Sequence, residues 1–193
     1  MCRLILFSFL IFVFTRCSDN ASRPVTSKDE AVKAVTTNSP MDGVIKSYSD
    51  LTEAFVNWDS ISVKNYAEVL RKSLDSAEAE NKTGNNEKET VKDIFGQVKN
   101  ATLRIAQFKN ITRQRQEFDS LSRKIYQLLK SSSQNSPQVF LHVCPMAFND
   151  IDSGYWLSKS NSIRNPYMGL HHPRYHSGML NCGETLDSIK QLR

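Results

Sequence analysis

A mainly α-helical fold, an up-down four-helix bundle with an irregular Cys/Met/His-containing segment packed against it, is predicted by three observations. Between residues 40 and 131 apolar side chains recur at steps of three and four, the period of one helix face. The 193 residues hold only 7 Gly and 6 Pro, which suits long helices better than many short strands. From Ser131 the helical period stops, and aromatic, proline and glycine residues alternate instead as far as Gly183.

The elements follow in order. Arg3 precedes an apolar run from Leu4 to Phe14 broken only by Ser8. A run of about ten residues is too short for the ~20 that span a bilayer as a helix, so residues 1–17 read as a signal peptide. Cys17, followed by Ser18, Asp19 and Asn20, looks like a bacterial lipoprotein processing site, although Arg16 stands where a small residue is usual. The expectation is export with lipid on Cys17; cleavage a few residues later would instead leave a soluble exported protein. Residues 18–39 are polar and aperiodic, a flexible tether of roughly 25 Å root-mean-square span.

Residues 40–193 are expected to form a single domain, with the bundle over 40–131 and a motif segment over 138–187. Val44, Tyr48, Leu51, Phe55 and Trp58 make the first helical stripe. Val63, Tyr66, Leu70, Leu74 and Ala77 make the second, with Ser62 as its N-cap. After a polar break around Gly84, Thr90 and Asp93 resemble a capping box. They open a third stripe through Val91, Ile94, Phe95, Val98, Ala101, Ile105 and Phe108. Asn110 and Thr112 mark a turn, and Phe118, Leu121, Ile125, Leu128 and Leu129 form the fourth stripe. Four amphipathic helices with short links bury their faces best as an antiparallel bundle. Gln138–Val143 reads as a short β-like run, and a last short helix is expected from about Glu184 to Leu192.

Charge and motifs exclude several functions. Loss of Arg3 and Arg16 leaves 23 basic against 20 acidic side chains, too even a balance for nucleic acid or a polybasic membrane patch. Membrane attachment is then through the lipid alone. The helices carry no Glu-x-x-His pair, and the chain has no Ser/His/Asp order, no carboxylate pair near the histidines and no Gly-rich phosphate loop. No enzyme is indicated.

The chemistry lies between 142 and 182. That stretch holds His142, Cys144, Met146, Met168, His171, His172, His176, Met179 and Cys182. In an extended 138–146, His142, Cys144 and Met146 project to one side; Met179 and Cys182 share a turn. Thiolate and thioether sulfurs are soft donors suited to Cu(I) or Ag(I), and imidazole suits Cu(II), Zn and Ni. One reading is therefore a Cu(I) or Ag(I) site on Cys144, Met146, Met179 and Cys182, with His142, His171, His172 and His176 as second-choice ligands. The other is a Cys144–Cys182 disulfide, contributing roughly 3–4 kcal/mol by loop closure. The methionines would then be packing residues.

Four motifs recur in order: Cys144-Pro145-Met146, Tyr155-Trp156-Leu157-Ser158, Ile163-Arg164-Asn165-Pro166-Tyr167-Met168-Gly169, and Met179-Leu180-Asn181-Cys182-Gly183. Together they resemble a bacterial domain family of unknown function, over roughly residues 40–187. That family occurs in small lipoproteins and at the C-terminus of periplasmic adaptor subunits of heavy-metal (copper/silver) efflux pumps. The stretch Leu170–Ser177 is longer and richer in histidine than the family pattern. The resemblance implies metal handling and an envelope efflux component as partner; it assigns no activity. By residue type, Asn165, Pro166 and Gly169 read as a turn. Trp156 and Tyr167 read as cover for the cysteines, and Arg164 as the partner of a bundle acid.

Overall fold

The computed structural model describes residues 39–82, 89–131 and 136–190. Cys17, the expected signal peptide and all of the expected tether but Ser39 lie outside the described residues. Four helices, α1 (Pro40–Val56), α2 (Ser60–Lys82), α3 (Glu89–Gln107) and α4 (Ile111–Ser131), precede three strands. The strands are β1 (Val139–Phe148), β2 (Asp152–Ser158) and β3 (Glu184–Ile189), in one antiparallel sheet of order β2-β1-β3. The expected irregular segment therefore contains a sheet, and the expected last helix is strand β3.

Local chemistry accounts for the helix starts. Ser39 caps α1: its hydroxyl accepts from Met41 N, Asp42 Oδ2 accepts from Ser39 N, and Pro40 opens the helix. Such a reciprocal cap satisfies two N–H groups that the first turn leaves orphaned. Asp59, not Ser62, caps α2; its Oδ1 accepts from the backbone of Ile61 and Ser62. Asn110 does the same for Thr112 and Arg113 at the start of α4. Thr90 lies inside the first turn of α3.

Consecutive helices pack on one another, α1 on α2, α2 on α3 and α3 on α4. Their stripes form the core: Val44, Tyr48, Leu51 and Phe55 meet Leu70, Leu74, Ile105, Phe118, Leu121 and Ile125. Three stripe assignments need correction. On α2 the inward position is Ala67, while Tyr66 is 39% exposed. One residue along a helix is 100° of rotation, so Tyr66 falls beside the stripe. Phe108 lies just beyond α3 and is 36% exposed. Trp58 sits past the end of α1 at φ 58°, in the turn to α2.

The sheet docks through β2, which packs on α4. As an edge strand, β2 presents alternate backbone groups that no strand pairs. Side chains from the helices and from the turn at 165–169 take them. Asp119 Oδ1 accepts from Tyr155 N at 2.8 Å, and Tyr48 Oη accepts from Leu157 N at 3.1 Å. Tyr167 Oη donates to Tyr155 O, and Arg123 stacks 3.7 Å above the Tyr155 ring. Tyr48 is wholly buried, which raises its phenol pKa far above the usual value, so it stays a neutral donor to Ser122 and acceptor from Leu157.

Candidate functional site

Cys144 lies on the central strand and is fully buried. Cys182 lies just before β3 and is half-buried. Antiparallel pairing sets Val143 opposite Glu184, so one more step along the register reaches Cys144 and Gly183. The thiols converge as a result: Cys144 Sγ and Cys182 Sγ are 3.8 Å apart, both as free thiols. Burial, and then the proximity of Cys144, push the Cys182 thiol up to about 11.

The peptide that carries Cys182 is clamped. Asn165, with no exposed surface, donates from Nδ2 to Cys182 O at 2.6 Å. Its Oδ1 accepts from Tyr167 N and Met168 N, and its own N–H donates to Leu180 O. The turn expected from Asn165, Pro166 and Gly169 is present, closed by Gly169 N donating to Asn165 O. Gly169 adopts φ +54°, and a Cβ there would stand 2.6 Å from Val56 O. Gly183, at φ +139°, lets the chain pass 2.7 Å (from an added Cβ) beside Val143 O and 2.9 Å from the Trp156 ring. Both positions therefore demand glycine. Trp156 and Tyr167 are both buried, their rings 6.0 Å apart. Arg164 forms a two-pronged pair with Glu53 of α1, Nε to Oε2 at 2.9 Å and Nη2 to Oε1 at 2.5 Å.

Met146 and Met179 are half-buried against the core. Met146 follows Cys144 by one strand repeat, and Met179 O accepts from Cys182 N. The histidines stand apart. Among the described residues, no group of three His, Cys, Asp or Glu side chains is arranged to hold a metal. His142 is buried, its Nε2–H donating to Ser160 O at 3.1 Å and its Nδ1 sharing a hydrogen bond with Thr185 Oγ1 at 3.0 Å. Burial lowers its pKa, and the Thr185 hydroxyl beside it also donates to Asn161 Oδ1 at 2.7 Å. His172 Nδ1 accepts from the backbone of Arg174 and Tyr175, and the ring meets Trp58 edge-on. Burial, and then the Arg115 cation, lower its pKa. His171 and His176 are exposed, the latter at φ 50°.

Sulfur geometry decides what the pair can do. An ion bound equally to both sulfurs at about 2.3 Å, with the sulfurs 3.8 Å apart, subtends an S–M–S angle of about 110°. That angle suits three or four ligands rather than linear two-sulfur binding, and leaves room for thioether donors. Oxidation to a disulfide requires the sulfurs to close to about 2.05 Å.

The family model described as protein of unknown function (DUF3347) matches residues 44–137. The matched stretch takes in most of α1 and all of α2, α3 and α4. The match ends before Cys144, so the Cys-Pro-Met and Cys-Gly motifs lie outside it. No curated protein and no solved structure matches the chain.

Proposed function

We propose that this chain is an exported, lipid-anchored, non-catalytic module that binds a soft metal ion, Cu(I) or Ag(I), for heavy-metal handling or efflux in the cell envelope. The observation that carries the reading is the 3.8 Å approach of two free thiols from segments thirty-eight residues apart. Soft sulfur donors favour soft monovalent ions over magnesium, calcium and zinc. Cys144 and Cys182 supply the charge, and Met146 and Met179, beside them in sequence, complete the donor set. The histidines are second in rank because His142 and His172 already spend ring nitrogens on the protein. Short links and neighbour-on-neighbour packing support the finer picture of an up-down bundle as the platform. An envelope efflux component is the proposed partner.

The same 3.8 Å favours a second reading, a disulfide-stapled interaction domain without metal. A competition titration against a Cu(I) chelator separates the two. Reduced wild type is compared with Cys144→Ser/Cys182→Ser and Met146→Leu/Met179→Leu. Metal binding predicts a large loss without the cysteines and a smaller one without the methionines. Equal affinity in wild type and the cysteine variant sinks the metal site. A native mass two protons light that resists mild reductants supports the staple. Lipid on Cys17 in the same spectrum tests the anchor; a soluble protein starting beyond Cys17 refutes it.

A further inference from the structure

A separate site lies where α1, α4 and the sheet meet. Arg115 of α4 is only 4% exposed, and among the described residues no carboxylate pairs with it. Its Cζ lies over the Trp58 ring, 3.2 Å from the centroid. Nε donates to Pro166 O at 3.1 Å and Nη2 to Phe55 O at 3.3 Å. Both acceptors are neutral. Among the described residues Nη1 donates to no acceptor, and no fully buried side-chain nitrogen lacks a partner. Nη1 therefore keeps some exposed surface, and Arg115 lines a cleft of about 200 Å³.

That cleft is built for an anion. Among the described residues no acid lines it; Thr112, Gln116 and Asn149 offer polar groups, and Trp58, Phe148 and Tyr167 offer apolar faces. The nearby acids are engaged elsewhere, Asp150 with Arg174 and Tyr175, and Asp119 with Tyr155 N and Arg123. Thr112 and Arg115 stand in the first turns of α4, the helix end that carries partial positive charge. A cation buried without a counter-charge is costly unless something pairs it. A planar fork matches a carboxylate, and one charge against apolar walls favours a monoanion with an apolar body over a phosphate dianion.

We infer that the cleft at Arg115 binds a small carboxylate whose apolar part lies against Trp58 and Phe148. This is independent of the cysteine pair. The test is an NMR titration of the reduced full chain at constant ionic strength, with benzoate, its neutral analogue benzamide, and inorganic phosphate as probes. Benzoate is expected to shift the Trp58 indole N–H and the Thr112 and Asn149 amides saturably, benzamide not, and phosphate more weakly than benzoate. Gln116→Glu, at an exposed position on the rim, places a repelling charge without touching Arg115 and should weaken benzoate roughly tenfold. Equal binding of benzoate and benzamide, phosphate binding as tight as benzoate, or unchanged affinity in Gln116→Glu each overturns the inference.

Discussion

Replacing Asn165 by alanine tests whether the Asn-Pro-Tyr turn exists to hold Cys182. The side chain makes three hydrogen bonds inside the protein, one to Cys182 O and two from the Tyr167 and Met168 amides. Alanine removes all three and leaves two buried N–H groups without a partner. Each such bond is worth about 1 kcal/mol net, and an orphaned buried donor adds to that, so the expected loss is roughly 3 kcal/mol. Urea denaturation in reductant measures it. A second readout is specific to the site: with its carbonyl released, Cys182 should open more often and alkylate about tenfold faster, equivalent to ~1.4 kcal/mol of local stability. Arg164→Ala, next door, is the control. Arg164 and Glu53 are each nearly half exposed, and pairs in water contribute at most about 1 kcal/mol. A loss below about 0.5 kcal/mol for Asn165→Ala, the range of ordinary surface changes, would refute the clamp. So would an equal rise in alkylation for Arg164→Ala.

Two further outcomes are expected. Tyr48→Phe removes the acceptor for Leu157 N and the partner of Ser122; it should cost about 1–3 kcal/mol in urea denaturation and speed exchange of the Leu157 amide. The Cys182 thiol, usually near 9.0 and here about 11, should alkylate ever faster as pH rises through 9 to 11. Because its folded pKa is raised, the protonated thiol's stabilisation is complete below the unfolded value and is lost as pH rises through about 11. A rate that levels off by pH 9 contradicts this.

How much the sequence discloses differs by element. Apolar steps of three and four located four helices, because helix burial repeats within a few residues. The errors came where neighbouring apolar residues compete for a face: Ala67 takes the inward place beside the larger Tyr66. Gln114 and Arg115, both buried, escape the apolar pattern as polar residues on a polar stretch. They stand four and three residues before Phe118, so extending that stripe back one turn would have flagged them. Strand β3 reads as a helix in the sequence because six residues, Glu184–Ile189, carry too little period of their own. Their conformation is decided by pairing with β1, a partner some forty residues away.

That misread strand is also what makes the site. Cys144 and Cys182 are far apart in sequence, and neither a helix at 184–192 nor an irregular segment would by itself set their separation. Pairing Val143 with Glu184 does so, since it fixes Gly183 opposite Cys144 and brings Cys182 alongside. Three devices then hold the register near the cysteines: Gly183, where a side chain would strike Val143 O and Trp156; Asn165, bonded to Cys182 O; and Trp156, buried on β2 behind both. Motif residues that looked like a string of separate signatures thus converge on one task. They place two sulfurs at a fixed distance on a sheet whose outer edge is sealed by Tyr48 and Asp119 from the helices. The helical domain of unknown function and the motif segment are coupled through those backbone bonds. A change in the helices at Tyr48 or Asp119 should therefore be felt at the cysteine pair.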